Sequence, residues 1–175
     1  VFDPVMVASS GSVLADEATV AAFGRLLRVA TVATPNAPEL AALTGRPVTS
    51  FTQASAAATA LFEAHGCAVL AKGGHLPPTE RNGRPMLGDL LVHEGAAVEY
   101  WNERIATRSD HGTGCTLASG IATGLASGMA LQLAVDRARD YLRAALAAAP
   151  GLGAGRGPMG HALGRVPFDV MTGVG

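Results

Sequence analysis

Residues 67–75 read Cys67-Ala68-Val69-Leu70-Ala71-Lys72-Gly73-Gly74-His75. The first five are all apolar, which is typical of a strand buried on both faces of a sheet, and the strand is predicted to end at Lys72. Residues 52–65 before it are rich in alanine and have a helical pattern, with Gly66 in the place of a C-terminal cap. A helix that leads directly into an apolar strand indicates an α/β fold.

The alternation of helices and strands continues in both directions. Upstream, Asp16 can cap a helix, residues 29–33 form a short apolar run, and Thr34-Pro35-Asn36 begins a helix that Gly45 ends. The segments downstream are predicted to be a loop over 76–85, an antiparallel hairpin of 89–92 and 98–105 around Glu94-Gly95, and helices over 113–127 and 131–148. We therefore predict a three-layer α/β/α sandwich with a mainly parallel sheet. Its single domain covers 1–161 and a C-terminal tail covers 162–175.

Composition excludes several classes of protein. Apolar residues make up 49% of the 175-residue chain and charged residues 15%, which is typical of a globular fold. With 13 basic and 14 acidic residues, the net charge of −1 gives no positive field for nucleic acid, and no apolar run is long enough to span a membrane. The two cysteines, Cys67 and Cys115, have neither a CxxC nor a zinc-ligand spacing. A reducing, cytoplasmic location is expected.

The residues with the clearest chemistry are Asp110-His111-Gly112-Thr113-Gly114-Cys115-Thr116, between a predicted strand and an amphipathic helix. Glycines 112 and 114 allow the backbone to approach a ligand, and the first N–H groups of a helix are free to bind an anion. A thiol in the first helical turn is stabilised as thiolate, so Cys115 is a candidate base. The alternative is an ordinary turn with Cys115 as a small buried hydrophobic residue.

Residues 111–117 resemble the glycine loop of hydroxymethylpyrimidine and phosphomethylpyrimidine kinases, a ribokinase-like family of thiamine biosynthesis. Four other segments resemble the same family in order and spacing: Asp3-Pro4-Val5-Met6-Val7, Thr34-Pro35-Asn36-Ala37-Pro38-Glu39, Lys72-Gly73-Gly74-His75 and Gly155-Arg156-Gly157-Pro158. Their joint occurrence over residues 2–161 is far more specific than any one of them.

The resemblance implies an ATP- and Mg²⁺-dependent kinase acting on a small pyrimidine, often as a homo-oligomer. It implies that Asp3 and Glu39 hold the cation, that Lys72, Gly73 and Gly74 bind nucleotide phosphates, and that Gly112, Thr113, Gly114 and Cys115 are catalytic. The residues also allow a simpler interpretation. Asp3 would then be a turn former, Glu39 a residue that complements a helix dipole, and Lys72 a solvated lysine.

Two features depart from the family. Ser109-Asp110 stands where the family commonly has an Asn-Thr pair, and a carboxylate pointing into an anion site would repel phosphate. The resemblance also implies a further N-terminal block with most of the pyrimidine pocket, so a chain that is inactive on its own stays open as an alternative to an active kinase. A pyridoxal-type kinase and a truncated, non-catalytic nucleotide-binding relative are the alternatives. A Rossmann dehydrogenase is disfavoured because no GxGxxG follows the first strand.

Overall fold

The computed structural model describes residues 1–6, 14–152 and 154–161. The chain divides into two compact units, Val1–Arg104 and Ile105–Gly175. The predicted tail over 162–175 lies outside the described residues, so the boundary at 161 stays a prediction.

Within the described residues, the first unit contains three helices and five strands, and the second contains two helices. In chain order these elements are α1 (Glu17–Leu27), β1 (Val32–Ala33), α2 (Ala37–Thr44), α3 (Phe51–His65), β2 (Ala68–Ala71), β3 (Thr79–Arg81), β4 (Arg84–His93), β5 (Ala96–Glu103), α4 (Thr113–Ala126) and α5 (Leu131–Ala147). All five predicted helices are present to within a residue or two. The helices of the first unit have the predicted caps: Asp16 accepts a hydrogen bond from the Thr19 N–H, and Gly45 and Gly66 have left-handed φ angles.

The sheet of the first unit is mixed, which corrects the expectation of a mainly parallel sheet. β1 and β2 are parallel, whereas β4 runs antiparallel to β2, β3 and β5. The pairs β3–β4 and β4–β5 are antiparallel because tight turns connect these strands, and a tight turn can join only antiparallel strands.

The predicted loop over 76–85 is partly wrong. Residues 79–81 form β3, and the ten-residue β4 begins at Arg84. The turn between them is Asn82-Gly83, whose φ angles of 53° and 73° are both left-handed. Asn-Gly is the strongest short sequence signal for such a hairpin turn. The density of proline, glycine and charge around it hid that signal.

The core of the first unit lies between α3 and the sheet. Leu61 of α3, Val69 of β2 and Leu90 of β4 are among its fully buried side chains. Cys67 belongs to the same core and is 3% exposed, which confirms its predicted packing role, and burial raises the pKa of its thiol. The carboxyl ends of β1 and β2 are thereby held side by side by a packed interior.

In the second unit, α4 and α5 pack closely through small residues. A Cβ added at Gly124 would lie 2.8 Å from the Cβ of Ala134, and one added at Gly120 would lie 3.0 Å from that of Ala138. Side chains larger than hydrogen at these two positions would therefore separate the helices. Across both units, no helix in the described part of the chain is long and apolar enough to cross a membrane.

Candidate active site

The predicted site residues of the first unit meet where its strands end. Phe2 pairs in parallel with Ala33. Asp3 and Thr34 are the residues that follow this pair, one on each segment. The Thr34 hydroxyl, which is fully buried, donates a hydrogen bond of 2.8 Å to Asp3 Oδ1. One oxygen of the Asp3 carboxylate therefore accepts a hydrogen bond from the neighbouring chain segment.

Lys72 lies at the end of β2 and completes the charge balance of Asp3. Its N–H donates to the Pro35 carbonyl, which places it beside Asn36. Its ammonium lies 2.9 Å from Asp3 Oδ1 and 4.0 Å from Glu39 Oε2, and 16% of the side chain is exposed. This low exposure excludes the interpretation of Lys72 as a solvated lysine. We call Asp3, Thr34, Glu39 and Lys72 the strand-end cluster.

Glu39 has a second structural task at the start of α2. Its carboxylate accepts the Asn36 N–H at 2.7 Å, and the Asn36 side chain accepts the Glu39 N–H at 2.9 Å, which is a complete capping box. Burial raises the pKa of the Glu39 carboxyl, and the Asn36 N–H and the Lys72 ammonium offset part of that rise. Glu39 thus takes part in the N-terminal cap of α2. Its carboxylate also lies within 4.0 Å of the Lys72 ammonium.

The donors available for a cation are few. No group of three or more His, Cys, Asp or Glu side chains that could hold a metal ion occurs among the described residues. Asp3 and Glu39 together offer two carboxylates, a donor set that suits Mg²⁺ when water and phosphate oxygens fill the other positions.

A residue that the sequence interpretation missed fixes the turn after Lys72. The Asp89 carboxylate on β4 accepts the Gly73 N–H at 2.8 Å. Gly73 and Gly88 are packed backbone against backbone, since a Cβ at Gly73 would lie 1.8 Å from the Gly88 carbonyl oxygen. The signal was present in the sequence as a Gly-Asp pair inside an otherwise apolar strand, because a strand glycine often marks a close approach of another backbone.

The glycine loop, residues 110–116, opens α4 in the second unit as predicted. Gly112 is the N-cap with a left-handed φ of 82°, a conformation that L side chains rarely adopt. No side chain caps this end of the helix in the described structure. The amides of Thr113, Gly114 and Cys115 precede the first intrahelical hydrogen bond, from the Thr116 N–H to the Gly112 carbonyl, so they are oriented for an anion.

Cys115 is exposed, which excludes the alternative of a small buried hydrophobic residue. A depression of about 470 Å³ opens beside it, lined partly by the polar side chains of Ser119, Arg137, Tyr141 and His161. The thiol is therefore accessible to a reactant from solution.

Asp110, whose role the sequence left open, faces Arg156. Arg156 Nε lies 3.3 Å from Asp110 Oδ1, a contact of opposite charges without hydrogen-bond geometry. The Gly-Arg-Gly-Pro segment pairs with the residues that enter the loop, since the Gly157 N–H donates to the Arg108 carbonyl and Pro158 pairs with His111. The additional carboxylate is thus compensated within the second unit.

Comparison with known proteins agrees with these motifs. The family model described as phosphomethylpyrimidine kinase matches residues 1–160. The chain belongs to the phosphomethylpyrimidine kinase family. It is 46% identical over 123 residues to the hydroxymethylpyrimidine/phosphomethylpyrimidine kinase of Rhizobium meliloti, covering 69% of this chain and 44% of that protein. It is 33% identical over 162 residues to the Bacillus subtilis protein of the same name, covering 92% of this chain and 58% of that protein.

Solved structures show the same fold. The pyridoxal kinase of Staphylococcus aureus in complex with AMP-PCP aligns with a TM-score of 0.80 at 28% identity, over 94% of this chain and 58% of that one. The phosphomethylpyrimidine kinase of Clostridium difficile aligns with a TM-score of 0.64 at 28% identity, over 82% of this chain and 55% of that one. The ribokinase-like α/β class is confirmed. The chain spans between 44% and 58% of the length of these relatives.

Proposed function

We propose that this chain is part of an ATP-dependent kinase that phosphorylates the hydroxymethyl group of 4-amino-5-hydroxymethyl-2-methylpyrimidine and then its monophosphate. The observation that carries the proposal is the Lys72 ammonium held between Asp3, on the other side of β1, and Glu39 in the first turn of α2. Open α/β sheets bind their ligands at the carboxyl ends of strands, and phosphoryl transfer requires a cation and fixed positive charge there.

Each residue has a role that its chemistry supports. The amides of residues 112–115 hold the oxygens of the transferred phosphoryl group, and the Cys115 thiolate accepts the proton of the substrate hydroxyl. Lys72 balances the charge of the nucleotide phosphates, and Gly73 and Gly74 let the backbone approach them. None of these steps requires a covalent enzyme intermediate.

Mg²⁺ is part of the proposal. Asp3 and Glu39 would hold it, and it would supply positive charge to the phosphate oxygens. The cation would need to share these carboxylates with Lys72. We therefore propose that Lys72 moves from the carboxylates towards the phosphates when nucleotide and cation bind together.

The direct test measures ADP release by the 175-residue chain with MgATP and each of three alcohols: hydroxymethylpyrimidine, its monophosphate and pyridoxal. The proposal expects ADP with both pyrimidines and at most slow release with pyridoxal. Release with pyridoxal alone would overturn the pyrimidine assignment. The mass of the purified chain is measured in parallel, so that the activity refers to these residues.

A pyridoxal kinase is the second candidate, favoured by the TM-score of 0.80 to a solved pyridoxal kinase. A third candidate, a nucleotide-binding relative without turnover, would bind MgATP in a calorimeter and release no ADP with any of the alcohols. We also propose that the protein is cytoplasmic and homo-oligomeric, which fractionation of cells and analytical ultracentrifugation of the purified protein would test.

A further inference from the structure

The carboxylate of Asp89 lies opposite the turn that follows Lys72. β4 is antiparallel to β2 with Ala71 opposite Leu90, so one step further along both strands brings Lys72 opposite Asp89. At this point a side chain replaces the backbone as the hydrogen-bond acceptor, because Asp89 Oδ1 accepts the Gly73 N–H at 2.8 Å. A carboxylate that accepts a backbone N–H makes a charge-assisted hydrogen bond, which is stronger than a neutral one.

The surroundings of this hydrogen bond allow little movement. Gly73 lies against Gly88, and a Cβ at Gly88 would lie 2.6 Å from the Trp101 ring, so this face of β4 is also covered. On its far side the Gly73 carbonyl accepts the Leu76 N–H at 2.9 Å, which closes the turn. Two contacts with β4 therefore fix Gly73: its N–H is bound by Asp89, and its α-carbon packs against Gly88.

The position of Gly73 determines that of Lys72. The Lys72 N–H is bound to the Pro35 carbonyl, and the peptide on its other side is the one whose N–H Asp89 accepts. Lys72 is thus fixed at both ends, and its ammonium reaches Asp3 at 2.9 Å. If the second anchor is lost, the backbone of Lys72 can rotate and the long side chain amplifies the displacement.

We propose that Asp89 is a positioning residue for Lys72. By holding the Gly73 N–H, Asp89 determines where the ammonium of Lys72 is presented to Asp3, Glu39 and a nucleotide phosphate. This role rests on the function proposed for Lys72, whereas the anchoring itself is a property of the nucleotide-free protein.

Three variants separate the positioning role from a purely structural one. Asp89→Ala removes the acceptor, and Asp89→Asn keeps an oxygen in its place without the charge. Glu80→Ala removes an exposed carboxylate from the neighbouring β3 and is the matched control. Amide hydrogen exchange of Gly73 is expected to accelerate about tenfold or more in Asp89→Ala, less in Asp89→Asn, and not at all in Glu80→Ala.

The decisive measurement is a double-mutant cycle with Lys72→Met. MgATP affinity by calorimetry is expected to fall about tenfold in Asp89→Ala, to recover largely in Asp89→Asn, and to fall no further when Asp89→Ala is added to Lys72→Met. The same cycle is measured without nucleotide as the midpoint of urea unfolding, where the two substitutions are again expected to be non-additive.

Additivity in the urea cycle, or unchanged exchange of Gly73 in Asp89→Ala, would overturn the positioning role. If the wild-type chain binds no MgATP, the proposed function fails, and the urea cycle and the exchange rates alone decide the role of Asp89. If Asp89→Ala does not fold, Asp89→Asn takes its place in both cycles. Non-additivity with Lys72→Met is expected for it in the same direction.

Discussion

The strand-end cluster and the glycine loop are built on opposite principles. In the cluster, charged side chains that are far apart in sequence are brought together and buried: Asp3 and Lys72 are 69 residues apart and their side chains are 13% and 16% exposed. In the loop, consecutive backbone amides form the proposed anion site, and the thiol beside them is exposed. Substitution of Cys115 in the loop should therefore change chemistry alone, whereas substitutions in the cluster should change both stability and binding.

The largest effect is expected for Cys115→Ala. If Cys115 is the base, as proposed, its removal should lower kcat for pyrimidine phosphorylation by roughly 10²–10⁴-fold. The midpoint of thermal unfolding should change little, because the side chain is exposed. An ADP-release assay beside a thermal scan checks both statements. Cys67→Ala, in the core, is the contrasting control: it should lower the unfolding midpoint and leave kcat within a few-fold. A large loss of stability in Cys115→Ala would break the comparison.

The next effect concerns the glycine pair after Lys72. Gly73→Ala would place a Cβ 1.8 Å from the Gly88 carbonyl oxygen, and the two backbones would have to separate. We expect a loss of about 1–3 kcal/mol in the free energy of unfolding, as for other overpacked sites. Gly74→Ala, whose Cβ would meet no atom within 4 Å, should stay within about 0.5 kcal/mol of wild type. Urea denaturation measures both, and equal values for the two variants would contradict the close approach of residues 73 and 88.

A smaller effect is expected from Glu39→Gln, and it depends on pH. Because burial raises the pKa of Glu39, the folded chain binds this proton more tightly than the unfolded chain does. The group therefore contributes stability below the ordinary glutamate range, and this contribution is lost as the pH rises through the raised pKa. Glutamine keeps an oxygen for the Asn36 N–H and carries no charge. We expect it to raise the unfolding midpoint by a few degrees at pH 8 and to have no advantage at pH 4.

A matched variant separates the cap of α2 from its charge. Glu39→Ala loses the hydrogen bond to Asn36 as well as the charge, and should be less stable than Glu39→Gln by about 1 kcal/mol. If Glu39 holds Mg²⁺, both variants should require more Mg²⁺ for half-maximal ADP release. A gain in stability for glutamine that is the same at pH 4 and pH 8 would contradict the burial argument.

The same contrast explains what the sequence could reveal. The glycine loop and the helix caps are local, because Gly112 or Asn36 acts on residues within one helical turn, and their motifs predicted them correctly. The strand-end cluster depends on strand neighbours. The sequence placed Asp3, Glu39 and Lys72 at strand ends and helix starts, but the pairing of Lys72 with Asp3 follows only from the order of the strands.

Asp89 was missed for a similar reason. It lies in β4, and its partner is the amide of Gly73, which follows the end of β2 and is 16 residues earlier in the chain. An antiparallel hairpin was predicted, but the extent of antiparallel pairing was missed because β3 and its Asn82-Gly83 turn were assigned to a loop. That turn makes β3 and β4 antiparallel, but the antiparallel register of β2 and β4, which brings Asp89 opposite Lys72, is a separate long-range pairing that the turn does not determine.

The smallest effect is expected at Asp110 and Arg156, the pair of charged side chains at the start of the glycine loop. The pair is partly exposed, with 62% of the Arg156 side chain accessible, so either substitution should change the free energy of unfolding by at most about 0.5 kcal/mol. Arg156→Ala leaves the Asp110 carboxylate uncompensated at the entrance to an anion site and should weaken MgATP binding a few-fold. Asp110→Asn should strengthen it by a similar factor. Calorimetry at low salt and at about 0.5 M salt checks the cause, because screening should bring both variants close to wild type. Changes that persist at high salt would mean that Asp110 acts on the shape of the loop, and the loop would then depend on side chains as the strand-end cluster does.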